Sequence, residues 1–223
     1  MLDRILEPEV MDSADEALEY DRMDHSHVNR VFVDDFLSAF VRDDMPNRLP
    51  YRIFDAGTGT ALIPIELLKR RQNIVITASD LAESMLVIAR QNVSAAGLGQ
   101  LIDPVLRDCK RLPDANASYD AVMSNSIIHH IPDPLTVLRE LWRILKLGGT
   151  FFIRDLMRPN DRPSLESLVA RHAVDANDYQ RRMFRESLHA ALSLDEVRSM
   201  VAELGLPPES AQATSDRHWT IRV

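Results

Sequence analysis

Short apolar runs alternate with longer stretches of helical period from Tyr51 onward. This alternation is typical of repeated βα units around a mostly parallel sheet. Five of the runs are short, rich in branched or aromatic residues and flanked by turn formers, so we predict them to be strands. These strands are 51–55, 74–78, 101–106, 119–124 and 150–154. The pattern therefore predicts a doubly wound α/β fold.

The helix before the fifth strand has recognisable ends. Asp133 followed by Pro134 is typical of a helix N-terminus, and Gly148-Gly149 is predicted to end the helix. Its predicted buried stripe consists of Leu135, Leu138, Trp142 and Leu145.

The N-terminal residues, 1–50, lie outside the alternating pattern and are predicted to be helical. They have an apolar flank that consists of Val28, Val31, Phe32, Asp35 and Phe36, in which the aspartate is the polar exception. We expect these residues to form a helical lid or an outer helical layer on the main domain, 51–223.

The C-terminal part is also predicted to be mainly helical. A long helix is expected over 163–191, followed by a helix that begins with a capping box at Ser193 and Glu196. The last residues, 218–223, are predicted to form a final strand.

The composition is that of an ordinary globular protein, with 45% hydrophobic and 27% charged residues among 223. One domain overall is expected at this length. The single cysteine, Cys109, excludes an intrachain disulfide and a multi-cysteine zinc site. No signal-peptide-like start and no apolar run near the roughly 18 residues of a membrane span is present, so we expect a cytoplasmic protein without a membrane partner.

The acidic residues are concentrated at the N-terminus. The formal net charge is −8, and residues 1–50 alone contain five Lys or Arg and thirteen Asp or Glu, so the rest of the chain is neutral. Affinity for nucleic acids depends on basic groups that neutralise phosphates. The charge distribution therefore favours a small-molecule partner and disfavours a nucleic acid.

The segment Phe54-Asp-Ala-Gly-Thr-Gly-Thr-Ala61 is the strongest candidate for a binding site. It follows a predicted strand and opens a helix, and its glycines let the backbone turn sharply and approach a ligand closely. Open α/β sheets bind nucleotides at the carboxyl ends of their strands. A tight strand-to-helix connection without a ligand would use the same glycines, so the interpretation needs further residues.

Two acids follow the next two strands. Asp80 lies 21 residues after Gly59, where a carboxylate can accept hydrogen bonds from both hydroxyls of a ribose. Alternatively, Asp80 and Glu83 form a capping box for the next helix. Asp108 is placed to accept from an adenine amino group, or else it is a solvated loop residue.

These motifs resemble those of class I S-adenosylmethionine-dependent methyltransferases. They are Asp55-Ala-Gly-Thr-Gly59, Asp80, Arg107-Asp108-Cys109 and Leu145-Lys-Leu-Gly-Gly149. A further segment, Asn125-Ser-Ile-Ile-His-His-Ile-Pro-Asp-Pro134, is similar to the ubiquinone-biosynthesis-type members (methyltransferase type 11). The resemblance spans roughly residues 51–155. It implies a Rossmann-like seven-stranded sheet, mostly parallel with a reversed last strand. It also implies in-line transfer of a methyl group from S-adenosyl-L-methionine to a small-molecule acceptor.

The resemblance further implies a set of cofactor-binding residues. Asp55 and the glycine loop are expected near the methionine part, Asp80 at the ribose, and Asp108 with Cys109 at the adenine. Tyr20 is placed over the cofactor by analogy with members whose N-terminal helices close the site. The full set is Tyr20, Asp55, Ala56, Gly57, Thr58, Gly59, Asp80, Leu81, Met85, Asp108, Cys109, Asn125, Ser126 and His130.

Two features depart from patterns known in such enzymes. Ala61 replaces a third glycine that is often found in the loop, a change small enough for binding to survive. The chain has Asn125-Ser-Ile-Ile where enzymes that methylate amino groups of nucleic acids have Asn/Asp-Pro-Pro-aromatic. Base methylation is therefore disfavoured.

Three residues are candidates for accepting a proton, which methyl transfer requires only when the acceptor atom is protonated. His129 and His130 lie just past the fourth strand, where the family places the methyl group, and Asp155 ends the fifth strand. Packing and capping are the alternative roles. No metal site is predicted, because His25 and His27 lie in a separate loop and such pairs are more often unrelated than joint ligands.

Two other classes of protein share parts of this pattern. A nicotinamide-dependent oxidoreductase also needs a glycine turn and an acid about 20 residues later, but Leu62 stands where its third glycine belongs. A protein that binds S-adenosylmethionine or a partner without catalysis is the other alternative, since fold does not fix function. The sequence identifies neither the acceptor nor the oligomeric state.

Overall fold

A computed structural model of the chain describes residues 2–7, 12–40, 50–174 and 176–223. Residues 8–11 and 41–49, which belong to the predicted lid segment, lie outside the described part. The strands are β1 (Tyr51–Ala56), β2 (Ile74–Asp80), β3 (Ile102–Leu106), β4 (Tyr119–Asn125), β5 (Leu145–Leu156), β6 (Ala211–Ala213) and β7 (His218–Arg222). The α-helices are α1 (Ala14–Arg22), α2 (Ser26–Ala39), α3 (Leu62–Leu68), α4 (Glu83–Ala95), α5 (Pro134–Ile144), α6 (Arg162–His172), α7 (Asp178–Ala190) and α8 (Leu194–Glu203). None of these helices is long and apolar enough to cross a membrane.

The seven strands form one sheet in the order β3-β2-β1-β4-β5-β7-β6. β1 pairs in parallel with β2 and β4, and β2 pairs in parallel with β3. Phe151 of β5 and Val223 exchange two backbone hydrogen bonds of 3.0 Å, the pattern of an antiparallel pair. β6 and β7 are also antiparallel. The predicted Rossmann-like sheet with a reversed last strand is thus confirmed, and the short strand β6 was not predicted.

The described chain divides into two compact units. We call residues 12–40, 50–125, 136–153 and 222–223 the glycine-loop unit, because they contain the loop after β1. We call residues 2–7, 126–135, 154–174 and 176–221 the histidine-pair unit, because they contain His129 and His130.

The core of the glycine-loop unit includes helix α2 from the N-terminal segment. Phe32 and Phe36 pack edge-on against Phe152, with ring centroids 5.3 and 5.9 Å apart. The predicted apolar flank is only partly correct, because Val28 and Val31 are exposed. The buried face is formed instead by Phe32, Val33 and Phe36. Helix α2 is therefore part of the core rather than an outer layer alone.

The helix before β5 is shorter than predicted. It ends at Ile144, so Leu145 begins the strand and Gly148-Gly149 lies within it. A Cβ atom at Gly149 would lie 2.6 Å from a side-chain carbon of Leu145 and 2.9 Å from the carbonyl oxygen of Asp120. Gly149 is thus required by close packing beside β4 and does not end the helix, contrary to the prediction.

The histidine-pair unit contains the other incorrectly predicted helix. The expected single helix over 163–191 is two helices, since α6 ends at His172 and α7 begins at Asp178. Asn177 starts α7 with a capping box to Gln180. The predicted capping box at the start of α8, from Ser193 to Glu196, is confirmed.

Candidate functional site

The loop after β1 adopts a conformation that requires its glycines. Gly57 and Gly59 have φ angles of +70° and +55°, a region that side chains with a Cβ atom rarely adopt. The N–H of Thr58 donates to the carbonyl oxygen of Ser79 at 2.8 Å. The N–H of Gly59 donates to Oδ2 of Asp80, also at 2.8 Å. Two hydrogen bonds therefore hold the glycine loop to the end of β2.

Asp80 does not form the alternative capping box. Its Oδ1 accepts a 2.9 Å hydrogen bond from the N–H of Ala82, and helix α4 begins without a side-chain cap. Glu83 pairs instead with Arg90 at 2.6 Å. Burial raises the pKa of Asp80, although the N–H groups of Ala82 and Gly59 act in the opposite direction. The carboxylate is thus fixed beside the glycine loop.

Asp55 is the next-to-last residue of β1, and its side chain is buried just before this loop. The residue is only 3% exposed, and its Oδ2 has no hydrogen-bond partner among the described residues. Burial is the main reason that the pKa of its carboxyl group is raised to about 7. The nearby Thr58 hydroxyl lowers this pKa, whereas the charge of Asp80 raises it. A buried acceptor without a partner is costly, and a cationic ligand group would compensate that cost.

Helix α1 places Tyr20 next to the glycine loop. The ring carbon Cε1 of Tyr20 lies 3.5 Å from the position of a Cβ atom at Gly59. Tyr20 as a whole is 37% exposed, but burial around its hydroxyl, followed by the charges of Asp80 and Asp55, raises the pKa of that hydroxyl to about 12. The hydroxyl is therefore protonated throughout the physiological range and available as a donor.

Asn92 of α4 links α1 to the glycine loop. The side-chain amide of Asn92 donates to Oδ1 of Asp21 at 2.9 Å and to the carbonyl oxygen of Thr60 at 3.1 Å. Ala17 is buried in one cluster with Ala82 and Met85. Met85, predicted to bind cofactor, thus packs between α1 and α4.

Cys109 and Asp108 follow β3 in the same unit. The Sγ atom of Cys109 lies 3.8 Å from Oγ of Ser79. Burial raises the pKa of the thiol to about 12, although the contact with the Ser79 hydroxyl acts in the opposite direction. Asp108 accepts from the N–H of Lys110 at 2.9 Å, which makes a local turn.

The remaining predicted cofactor residues fall in both units. In the glycine-loop unit, Ala56 is buried at the end of β1, Leu81 is 37% exposed directly after β2, and Asn125 ends β4. In the histidine-pair unit, Ser126 has a φ of +62° and donates its N–H to a backbone oxygen. His130 lies in the same unit, four residues further on.

The histidine-pair unit contains a buried pair formed by two of the predicted catalytic residues. Nδ1 of His129 lies 2.6 Å from Oδ1 of Asp155, and both residues are buried. Oδ2 of Asp155 accepts backbone hydrogen bonds from Ile128 at 2.5 Å and from His129 at 3.2 Å. Burial opposes the ionised forms, but the two opposite charges dominate and raise the pKa of His129 and lower that of Asp155. The Asp155 carboxylate therefore fixes the ring of His129 through Nδ1 and makes Nε2 a stronger base.

Glu7 is the site residue that the sequence interpretation missed. Its Oε1 lies 3.3 Å from Nε2 of His129 and 3.2 Å from Nδ1 of His130. Arg4 fixes this N-terminal segment through hydrogen bonds of 3.2 Å to the carbonyl oxygen of His129 and 2.9 Å to that of Ile131. No sequence motif connects Glu7 with the histidines, so only the fold reveals the cluster.

Comparison with known structures identifies the class of fold. A methyltransferase structure from Aquifex aeolicus, described as S-adenosylmethionine-dependent, has a TM-score of 0.63 at 17% identity and covers 94% of this chain and 97% of that one. A phosphoethanolamine N-methyltransferase of Haemonchus contortus, solved with S-adenosylhomocysteine, has a TM-score of 0.60 at 17% identity and covers 81% of this chain and 37% of that one. The fold is therefore that of the Rossmann-like methyltransferases.

Sequence comparison places the chain within that class. Residues 54–153 match the methyltransferase domain family model. A 27-O-demethylrifamycin SV methyltransferase of Amycolatopsis mediterranei is 27% identical over 77% of this chain and 59% of its own length. A demethylmenaquinone methyltransferase of Deinococcus radiodurans is 34% identical over 49% of this chain and 45% of its own. The matched part of the chain thus spans about half the length of these relatives. The predicted resemblance to S-adenosylmethionine-dependent methyltransferases is confirmed, and with it S-adenosylmethionine as the cofactor.

Proposed function

We propose that this protein transfers a methyl group from S-adenosyl-L-methionine to a small organic molecule. The observation that carries the proposal is the hydrogen bond between Gly59 and Asp80, which builds the predicted loop and acid into one site. The match of residues 54–153 to the methyltransferase domain family supports it independently.

The residues of the glycine-loop unit fit the proposed cofactor. Asp55 offers a buried carboxylate oxygen without a partner, suited to a cationic amino acid group. The carboxylate of Asp80 has lone pairs left beyond its two backbone contacts, suited to ribose hydroxyls. Tyr20 would cover the bound molecule from α1, which is the lid role proposed for the N-terminal segment. Asp108 and Cys109 are assigned to the adenine.

The chemical step requires little from the protein beyond positioning. The bound cofactor supplies an electrophilic methyl group on a positively charged sulfur. The protein holds the acceptor atom in line with that methyl group and keeps water away from it. In our proposal, the buried carboxylates of Asp55 and Asp80 also favour a positively charged ligand.

His129 and His130, together with Asp155, are proposed to handle a proton when the acceptor carries one. Because Nδ1 of His129 is bound to Asp155, only Nε2 is left to accept a proton. Glu7 and His130 lie next to that nitrogen and form the rest of the polar cluster. His130 is the more exposed of the two histidines, with 21% of its side chain exposed against 4% for His129. It is therefore the more accessible of the two proposed bases.

A small-molecule acceptor is favoured by two observations. Relatives are named for methylating a rifamycin and a demethylmenaquinone. The net charge of −8, concentrated in the first fifty residues, opposes binding to a polyanion.

Calorimetric titration tests the proposal. We expect S-adenosylmethionine and S-adenosylhomocysteine to bind with micromolar affinity, Asp80→Ala to abolish binding, and NADH not to bind. Asp103→Ala, which removes an exposed carboxylate on β3, is the matched control and should bind normally. Preference for NADH would support the oxidoreductase alternative. Tight cofactor binding without methyl transfer to any of a panel of hydroxylated, amino and thiol compounds would favour a non-catalytic binding protein.

A further inference from the structure

Three metal-ligating side chains converge within the histidine-pair unit. Glu7, His129 and His130 each offer one ligand atom, and these atoms all lie within 4.8 Å of one another. Oε1 of Glu7 is 3.3 Å from Nε2 of His129 and 3.2 Å from Nδ1 of His130. Ligands about 2.0–2.2 Å from a tetrahedral zinc ion are about 3.3–3.6 Å apart. The two separations from Oε1 of Glu7 are close to that geometry, and the third lies within 4.8 Å.

Asp155 supplies the outer contact that such a site needs. A histidine that binds a metal commonly donates its other ring N–H to a carboxylate, which fixes the tautomer and the ring orientation. Here Nδ1 of His129 lies 2.6 Å from Oδ1 of Asp155, which leaves Nε2 directed to Glu7. The backbone N–H of Ile128 in turn holds Oδ2 of Asp155 at 2.5 Å. The ring of His129 is therefore fixed in the orientation that metal binding requires.

The contacts of Glu7 indicate that its carboxylate and the two histidine rings point towards one common position for an ion. Its Oε1 is buried and forms no well-aligned hydrogen bond with the described residues, despite the short distances to two ring nitrogens. Atoms that ligate one ion point at the ion rather than at each other. The polar environment of Oε1 is therefore better completed by a cation than by the imidazoles alone.

We propose that Glu7, His129 and His130 bind a divalent transition-metal ion of the Zn²⁺ type. Two imidazole nitrogens and one carboxylate suit Zn²⁺ and its neighbours better than Mg²⁺ or Ca²⁺, which prefer all-oxygen sites. Three protein ligands leave a fourth tetrahedral position for water or for an oxygen atom of a small molecule. In the metal-bound state both histidines are ligands, so their proposed role as bases belongs to the metal-free protein.

The test is titration of untagged, chelator-stripped protein with ZnCl₂ by calorimetry, in the absence of S-adenosylmethionine. We expect one ion per chain with micromolar or tighter affinity. Glu7→Gln and His130→Gln should each abolish this site, and Asp155→Asn should weaken it about 10–100-fold. His27→Gln, an exposed histidine outside the cluster, should bind like the unmodified protein. Circular dichroism of each variant shows whether it is folded.

A second measurement keeps the proposal testable if a buried variant fails to fold. Co²⁺ added to the unmodified protein should give the intense visible absorption of a four- or five-coordinate site, and Zn²⁺ should displace it. Binding that is unchanged in folded Glu7→Gln and His130→Gln would overturn the proposal, as would the lack of a saturable one-to-one site. Both results would identify the cluster as an ion pair only. Because these experiments need no methyl donor, their failure is distinguishable from failure of the proposed methyl transfer.

Discussion

The backbone N–H of Gly59 donates a 2.8 Å hydrogen bond to Oδ2 of Asp80, and this bond joins the loop after β1 to the end of β2. The other carboxylate oxygen of Asp80 accepts from the N–H of Ala82 at the start of α4. One side chain therefore orders both the glycine loop and the turn into the next helix. Its role in stability and its proposed role in ribose binding can be separated experimentally.

Asp80→Ala should destabilise the protein even without a ligand. It leaves two backbone N–H groups without their acceptor, so we expect the free energy of unfolding to fall by about 1–3 kcal/mol. Urea denaturation measures this change, and calorimetry with S-adenosylhomocysteine measures the accompanying loss of affinity. Asp103→Ala should change the free energy of unfolding by less than about 0.5 kcal/mol. Unchanged ligand affinity in folded Asp80→Ala would contradict the ribose assignment.

Tyr20 should contribute to cofactor affinity through its ring. Because Cε1 lies 3.5 Å from the Cβ position of Gly59, removal of the ring uncovers the glycine loop. We expect Tyr20→Ala to raise the Kd for S-adenosylhomocysteine about tenfold, equivalent to about 1.4 kcal/mol, and Tyr20→Phe to raise it only slightly. Calorimetry checks both variants. Tyr179→Ala removes an exposed tyrosine of α7 and is the matched control. An equal effect of Tyr20→Phe and Tyr20→Ala would assign the contribution to the hydroxyl instead.

The parts of the site that the sequence predicts are those with local causes. The positive φ angles of Gly57 and Gly59 require residues without a Cβ atom, so the loop is recognisable from a few consecutive positions. Asp80 is recognisable because β2 has the length that brings its end to the same edge of the sheet as β1. The spacing between the glycine loop and Asp80 along the chain corresponds to one helix, α3, and one strand, β2.

The parts that the sequence does not predict depend on contacts between distant segments. Glu7 reaches the histidines because Arg4 binds carbonyl oxygens of His129 and Ile131, and no periodicity encodes those contacts. Gly149 was misread because a glycine that permits close packing in a strand is indistinguishable, in one sequence, from a glycine that ends a helix. The break between α6 and α7 does carry a local signal, since Asn177 favours a helix N-terminus, but the prediction of one long helix did not use it.

Cys109 should react slowly with thiol reagents. Burial raises the pKa of its thiol from the ordinary value of 9.0 to about 12, so its thiolate fraction at neutral pH should be about 1,000-fold below that of an ordinary thiol. The rate of modification by a chromogenic disulfide, compared with that of free cysteine, measures this difference. Because Cys109 is the single cysteine of the sequence, Cys109→Ser should show no reaction and defines the baseline. Protection by S-adenosylhomocysteine is expected from the adenine assignment, and lack of protection would contradict that assignment.

Cofactor affinity should depend on pH through Asp55, whose pKa burial raises to about 7. Below that pH the carboxyl group is protonated and cannot pair with the ammonium group of the ligand. Above it the carboxylate is ionised, so binding no longer requires loss of a proton. We therefore expect the affinity for S-adenosylhomocysteine to increase about tenfold between pH 6 and pH 8. Asp55→Asn should bind weakly and show no such increase, and a similar increase in both proteins would show that another group is responsible.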